Sequence, residues 1–224
     1  MIKAMRVRCL SSALATLIFI VMTGPASAGG GGDPIVSPAE YGQSQAQWQA
    51  QWWQWVLSIP TVSNPLADPT GELCPTGQRG RVWFLVGTNG GAPVHRHCNV
   101  PRGTALFFPI GNTQCYEDAY TPSAAACRPD LTAYINGWTV TLALDGRQIG
   151  HLNRFRGQAG PFVEFSPLDN VYADPGPVFT HAIDDGWYVM LKPMSVGEHV
   201  IRFTADDGYG YLVDVTYEIS VVAL

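Results

Sequence analysis

Two histidines in the segment "GAPVHRHCNVPRG" have the spacing that comes nearest to a metal site in this sequence. In an extended segment, His95 and His97 project from the same face of the strand, as two imidazole ligands of one metal ion require. No carboxylate lies between Asn99 and Gly103, and Cys98 is expected to form a disulfide. The histidines are therefore weak candidates for metal ligands. We favour two loop histidines beside a disulfide, and we predict no cofactor.

Two arginines in the segment "LNRFRG" have the chemistry to bind an anion. The guanidinium groups of Arg154 and Arg156 can form forked hydrogen bonds with a carboxylate or a phosphate. The alternative is that each arginine pairs with a nearby acidic residue on a solvated face of the protein. We favour this second interpretation and keep both arginines as binding candidates.

Catalytic groups are otherwise sparse. Glu164 is either one carboxylate of a glycosidase pair or a solvent-facing residue on an alternating strand. The segment "GQSQA" nearly matches the nucleophile elbow G-x-S-x-G, but its last residue is Ala46 and it lies in a predicted helix. The two "DDG" triplets, at 184–186 and 206–208, are expected to form hairpin turns rather than calcium sites. The sequence therefore identifies no catalytic residue.

The segment "QAQWQAQWWQWVLSIP" contains four tryptophans within eight positions and lies in a predicted helix over residues 38–59. Ser37 and Glu40 have the spacing of a capping box, and Pro60 ends the pattern. At about 100° per residue, the large apolar side chains form one narrow stripe, which predicts packing on the domain core. Its members are Tyr41, Trp48, Trp52, Trp55 and Ile59. Trp53 lies about 120° from this stripe and is the tryptophan that we expect a ligand or partner to reach.

The first 28 residues have the three regions of a signal peptide. Three basic residues precede the short apolar run "LATLIFIVM", and "ASA" at 26–28 forms a cleavage site between Ala28 and Gly29. The apolar run is shorter than the roughly 20 residues that span a bilayer, and no later segment approaches that length. We therefore predict a secreted or periplasmic protein without a membrane span, which begins with a glycine-rich lead over 29–36.

Charge and composition exclude several classes of partner. Cleavage would remove three basic residues and no acidic residue, and would change the formal net charge from −5 to −8. Lys192 would then be the only lysine, and no basic block exists that could bind nucleic acid. The expected partner is an unknown glycan or protein.

Four cysteines remain after the predicted cleavage, and an even number in an exported chain favours two disulfides. Three connectivities are possible for four cysteines. We favour Cys74–Cys98 and Cys115–Cys127, because each links neighbours across one loop region and neither has to cross the strand-like segment "TALFFPI". A zinc site would require closely spaced cysteine pairs, which these spacings do not supply.

Periodicity predicts a mainly β fold. "RVWFLVG" and "TALFFPI" resemble buried strands, and from residue 137 onward short strands alternate with turn signals. In the last predicted strand, apolar and polar side chains alternate. The apolar set is expected to be buried, namely Tyr211, Val213, Val215, Tyr217, Ile219 and Val221. The prediction is an antiparallel β-sandwich with one N-terminal amphipathic helix packed on it. Residues 37–136 form the Trp-rich helix and disulfide-linked strands, and residues 137–224 complete one compact domain with them.

The segment "DGWYVMLKPMSVGEHVIRFTADDGYGYLVDVTYEISV" (185–221) resembles the end of bacterial immunoglobulin-like domains, in which an "L-x-P-L-x-x-G-x-H-x-I" corner joins two strands. Met194 departs from that pattern, which has leucine at this place. The chain is also similar to exported bacterial proteins of unassigned function that share the Trp-rich helix, "GQ-x-G-x-VWFL" (77–85) and "C-x-VP-x-G-x-ALFFPI" (98–110). These resemblances imply that the antiparallel β-sandwich is immunoglobulin-like and that the protein is exported, and they imply no activity.

Two functions are consistent with these observations. The first is an exported, soluble, non-enzymatic binding or structural β-sandwich protein. The alternative is a secreted hydrolase that acts on an extracellular glycan or ester, with a site assembled from separate loops. Two carboxylates about 5–10 Å apart in an aromatic cleft would favour the hydrolase.

Overall fold

A computed structural model describes residues 32–118, 121, 123–167, 169–171 and 178–223. The predicted signal peptide, the cleavage site between Ala28 and Gly29, and the first part of the glycine-rich lead lie outside the described residues. Within these ranges, no helix is long and apolar enough to cross a membrane.

The chain is mainly β. The strands are β1 (Val82–Phe84), β2 (Val94–Pro101), β3 (Ala105–Tyr116), β4 (Thr139–Leu144), β5 (Arg147–Gln148), β6 (Arg156–Ser166), β7 (Val178–Leu191), β8 (Gly197–Asp206) and β9 (Leu212–Val222). The α-helices are α1 (Gln45–Ser58) and α2 (Arg128–Ile135). Short 3₁₀ turns cover Pro38–Tyr41, Thr61–Ser63, Pro65–Ala67, Ala124–Cys127 and Leu152–Phe155.

The strands form two sheets that pack together. The first sheet has the order β1-β3-β7-β6, and the second has the order β2-β9-β8-β4-β5. Strands from both predicted segments, 37–136 and 137–224, contribute to each sheet. The side chains between the sheets form a buried apolar core that includes Phe108, Val189, Phe203 and Val215.

The expectation of purely antiparallel pairing is wrong, because both sheets are mixed. β1 pairs with β3 in parallel, and β2 pairs with β9 in parallel, while the other pairs are antiparallel. The chain leaves the first sheet after β1, forms β2 in the second sheet and returns to the first sheet as β3. Such a crossover lets two strands of one sheet run in the same direction, which a short hairpin cannot do.

The final strand follows the predicted alternation. Five side chains of β9 are buried between the sheets, namely Val213, Val215, Tyr217, Ile219 and Val221. Tyr211, which was included in the predicted buried set, precedes the strand and is half-buried. A shift of the pairing by one residue would move all five side chains to the solvent face, so this pattern determines the register of β8 and β9.

The predicted helix over 38–59 is interrupted near its beginning. Gly42 has φ of 87°, a left-handed conformation that ends the first 3₁₀ turn. The predicted capping box of Ser37 and Glu40 is present, but it caps this short turn. A second capping box, formed by Ser44 and Gln47, starts α1 three residues later.

Helix α1 covers the outer face of the first sheet. The tryptophan stripe packs on apolar side chains of β3 and β7, including Phe107 and Tyr188. Glutamines on a second side of α1 bind the edge strand β6, where Gln49 Nε2 donates to the carbonyl of Gly157 (3.0 Å) and Gln54 Nε2 to that of Val163 (2.7 Å). These amides occupy carbonyls that an edge strand would otherwise expose.

Both predicted disulfides are confirmed. Cys74 and Cys98 lie 5.8 Å apart at Cα, and Cys115 and Cys127 lie 6.3 Å apart, which are normal spacings for a disulfide. The first bond ties the loop after α1 to β2, and the second ties the end of β3 to the turn before α2.

Candidate functional site

The candidate metal ligands His95 and His97 lie on β2 and not in a loop, with both side chains on the exposed side. The Nδ1 atom of His97 is 3.1 Å from Oε2 of Glu218 on the neighbouring strand β9. Among the described residues, no group of three or more His, Cys, Asp or Glu side chains has the arrangement of a metal site. The His97 ring therefore contacts a carboxylate on the exposed side of the second sheet.

Arg154 and Arg156 both pair with acidic residues. Nη2 of Arg154 lies 2.7 Å from Asp33 Oδ2, and both groups are about half exposed. Arg156 forms a forked pair with Asp185, with Nε at 2.8 Å from Oδ1 and Nη2 at 3.0 Å from Oδ2. Because the Asp185 side chain is fully buried, the second pair is not on the solvated face that we expected. Both guanidinium groups are engaged within the protein.

Glu164 is also placed differently from the expectation of a solvent-facing residue, because it is buried on β6. The "DDG" triplet at 206–208 forms the predicted hairpin turn between β8 and β9. The triplet at 184–186 does not form a turn, since it lies in the middle of β7.

The expectation that Trp53 is accessible on a free face of the helix is wrong. Its exposed fraction is 4%, close to the 3% of Trp52, and the two indole rings meet edge to face with centroids 5.0 Å apart. The helix is covered on two sides because its glutamines dock on the edge strand β6 as well as its tryptophans on the sheet. Trp53 instead lines a cleft, which is described below.

A buried acid, Asp184, lies next to Trp53. Asp184 is completely inaccessible, and its Oδ1 accepts a hydrogen bond from the Tyr188 hydroxyl (3.1 Å). Burial raises the pKa of Asp184 to about 8, although the indole N–H of Trp53 and the Tyr188 hydroxyl lower it and the charge of Asp185 raises it further. The carboxyl group is therefore mostly protonated at neutral pH.

The indole N–H of Trp53 and Oδ2 of Asp184 are both buried, and neither makes a hydrogen bond of normal geometry. The indole nevertheless affects the pKa of Asp184, so the two groups are neighbours whose distance or angle departs from that of a good hydrogen bond. The contact between the indole N–H and the carboxyl group is therefore electrostatic. Burial also raises the pKa of Tyr188 well above its usual value, which keeps its hydroxyl protonated.

The described surface contains a cleft of about 560 Å³, a size typical of small-molecule sites. Five of its lining residues are aromatic and four are neutral polar residues. The lining consists of Trp53, Tyr116, Tyr134, Trp138, Tyr211, Asn89, Asn112, Thr113, Gln114 and Val171. None of these described lining residues carries a charge. We call this feature the aromatic cleft.

One side of the aromatic cleft is a continuous aromatic wall formed by Tyr134, Trp138 and Tyr211. The Trp138 ring meets Tyr134 edge to face and packs on Tyr211 at a tilt, with ring centroids 5.5 Å apart in both contacts. The Tyr134 hydroxyl donates to Asp207 Oδ2 (3.0 Å), and the Tyr211 hydroxyl donates to the carbonyl of Thr88 (3.1 Å). The ring positions are therefore set before any ligand arrives.

The neutral polar side chains of the aromatic cleft come from the loop after β1 and from the end of β3. Asn112 Nδ2 donates to the Tyr188 hydroxyl (2.7 Å), so the hydrogen-bonded series Asn112–Tyr188–Asp184 runs from the cleft to the buried acid. The Oε1 atom of Gln114 is buried and has no hydrogen-bond partner in the described part of the chain. Buried acceptors without a partner are uncommon, so this amide has an unused capacity for hydrogen bonding.

Of the cleft residues, only Trp53 was predicted from the sequence to be a binding residue, and for a different reason. The signal for the others is weak: "GNTQCY" follows an apolar strand, and Tyr134 and Trp138 have the spacing of one helical turn. Nothing in these local patterns indicates that residues 89, 112–116, 134–138 and 211 meet.

No protein-family model and no curated protein matches the chain. Among solved structures, it is similar to a cysteine protease inhibitor from Entamoeba histolytica, with 13% identity and a TM-score of 0.25 over 63% of this chain and 96% of that chain. It is also similar to amebosin, with 11% identity and a TM-score of 0.20 over 64% of this chain and 100% of that chain. Scores this low carry no functional argument.

Proposed function

We propose that this chain is an exported, non-enzymatic binding protein with an immunoglobulin-like β-sandwich, and that its ligand occupies the aromatic cleft. The observation that carries this proposal is a cleft of about 560 Å³ whose aromatic wall is held in place by hydrogen bonds to Asp207 and Thr88. Export is supported by the signal-peptide pattern of residues 1–28 and by two disulfides, which persist in oxidising compartments.

Binding has more support than hydrolysis because of where the carboxylates lie. A glycosidase places two carboxylates on either side of the bond that it cleaves. The described lining of the aromatic cleft contains neither aspartate nor glutamate. Asp184 is enclosed behind the cleft, and Asp185 is held by Arg156.

The proposal can be tested by filling the cleft. Thr113→Trp would place a large side chain in the lining, and Thr141→Trp on the exposed side of β4 is the matched control. The oxidised proteins are screened by ligand-observed NMR against a fragment set with neutral, cationic and anionic members. We expect some fragments to bind the wild type and the Thr141→Trp variant but not the Thr113→Trp variant.

Two results would contradict this proposal. If the same fragments bind all three proteins, the ligand site lies elsewhere. If a glycan or ester probe binds in the cleft and is converted to products, the protein is a hydrolase.

A further inference from the structure

We propose that the ligand of the aromatic cleft is an uncharged saccharide, an inference that rests on the proposed binding function. A pyranose ring has apolar C–H faces and a rim of hydroxyl groups, so a site for it needs flat apolar surfaces beside neutral hydrogen-bonding groups. The aromatic wall offers the first, because the negative faces of aromatic rings attract weakly positive C–H groups. Asn89, Asn112, Thr113 and Gln114 offer the second.

The side chains near the aromatic wall suit hydroxyl groups in particular. Amides both donate and accept hydrogen bonds, as each sugar hydroxyl does. Asn112 uses one N–H on Tyr188 and retains its Oδ1 as an acceptor, and the Asn89 side chain is exposed. Gln114 Oε1 is a buried acceptor without a partner among the described residues, and its half-buried side chain belongs to the lining of the cleft.

The uncharged lining of the cleft argues against an ionic ligand. No charged side chain is present in the described lining, so an anion would lose its hydration without gaining a charged partner. A quaternary ammonium ion would be attracted to the rings. The quaternary ammonium group itself has no N–H donor, however, and a small cation such as choline, with a single hydroxyl group, would leave most of the four neutral polar side chains without partners. A neutral, hydroxyl-rich ligand satisfies both sets of groups.

The aromatic wall is also preorganised. The Asp207 carboxylate accepts hydrogen bonds from the backbone N–H groups of Tyr209 (2.8 Å) and Tyr211 (3.0 Å), which shape the turn between β8 and β9. The same carboxylate accepts the Tyr134 hydroxyl, so Asp207 is a positioning residue that joins the turn to helix α2. Rings that are already ordered lose little side-chain entropy when a ligand binds.

The test is calorimetric titration of the oxidised protein with five probes. Three are uncharged hexasaccharides (maltohexaose, cellohexaose and xylohexaose), one is anionic (hexagalacturonate) and one is cationic (choline). We expect at least one uncharged hexasaccharide to bind with Kd below about 1 mM, and neither charged probe to bind. Tyr134→Ala should weaken that binding at least about tenfold, because it removes the most exposed ring of the aromatic wall.

Two further variants separate binding from folding. Tyr134→Phe keeps the ring and should bind within about threefold of the wild type. Tyr209 is a second exposed tyrosine, 91% accessible and outside the lining, so Tyr209→Ala should leave binding unchanged. If Tyr134→Ala is misfolded by near-UV circular dichroism, Thr113→Trp replaces it as the blocking variant.

The outcomes distinguish this inference from the function on which it rests. Failure of all three uncharged hexasaccharides to bind overturns the saccharide proposal, and cleft-dependent fragment hits would still support a binding protein with another ligand. Binding of choline or hexagalacturonate alone overturns it in the same way. Equal loss of saccharide binding in Tyr134→Ala and Tyr209→Ala would contradict the assignment to the aromatic cleft.

Discussion

The buried acid behind the aromatic cleft, Asp184, should make the free energy of unfolding depend on pH. In the folded protein, burial raises the pKa of Asp184 to about 8 from a reference value of 3.8. Between these values, the unfolded chain releases the proton while the folded protein retains it. Rising pH therefore favours the unfolded state, by about 1.4 kcal/mol for each pH unit. From pH 5 to pH 7, Asp184 should lower the free energy of unfolding by about 3 kcal/mol.

Asp184→Asn removes this dependence without changing the shape of the side chain. Asparagine keeps an Oδ1 that can accept the Tyr188 hydroxyl, and it has no proton to lose in this range. We expect the free energy of unfolding of the variant to lack the decrease of about 3 kcal/mol between pH 5 and pH 7. For a chain of this size, the difference corresponds to roughly 6–12 °C in Tm.

The assay is urea unfolding at pH 5, 6 and 7 with both disulfides intact, followed by tryptophan fluorescence. Asp130→Asn, at an exposed aspartate of α2, is the control and should follow the wild type. Because other groups titrate equally in wild type and variant, only the difference between the two pH profiles reports Asp184. Parallel profiles for the wild type and Asp184→Asn would refute the reasoning.

Three further predictions concern the core, the ion pairs and the cysteines. Val215→Asp should lower the Tm severely, because it buries an unpaired charge between the sheets. Thr216→Asp, at a half-buried position, should lower the Tm much less, and thermal melts of the two variants would show the difference. Arg156→Gln should lower the free energy of unfolding in urea by about 3 kcal/mol, because its partner carboxylate is buried. Arg154→Gln should lower it by less than about 1 kcal/mol, because its ion pair is half exposed. Equal losses in the two variants would contradict this difference. Intact mass of the exported protein should show that it begins at Gly29, and thiol titration should find no reactive thiol. Two or more reactive thiols in the unfolded, unreduced protein would contradict the disulfide pairing.

Features that depend on short-range order were predictable from the sequence. The alternation in β9 has a period of two residues, so it states which side chains are buried wherever the strand lies. The disulfide pairs followed from their spacing along the chain and the strand between them. The tryptophan stripe of α1 follows from helical geometry, and it correctly indicated packing on the domain.

The tertiary structure decided what the second side of α1 contacts. Helical periodicity states which residues share a face, but it contains no information about a strand that packs beside the helix. Trp53 was therefore expected to be accessible, whereas the docking of glutamines on β6 helps to bury it. The parallel pairs were unpredictable for a similar reason, because strand direction depends on how the chain crosses between the two sheets.

The aromatic cleft is the feature furthest from what local sequence can specify. Its wall and its polar side chains come from the loop after β1, the end of β3, helix α2 and the turn after β8, which are far apart in the chain. By itself, the sequence determined the alternating strands, the amphipathic helix and the disulfide pairs, because each depends on periodicity or spacing. Only the packing of two sheets decided that Asn112, Tyr134 and Tyr211 share one cleft, since contacts between distant segments arise from the three-dimensional path of the chain.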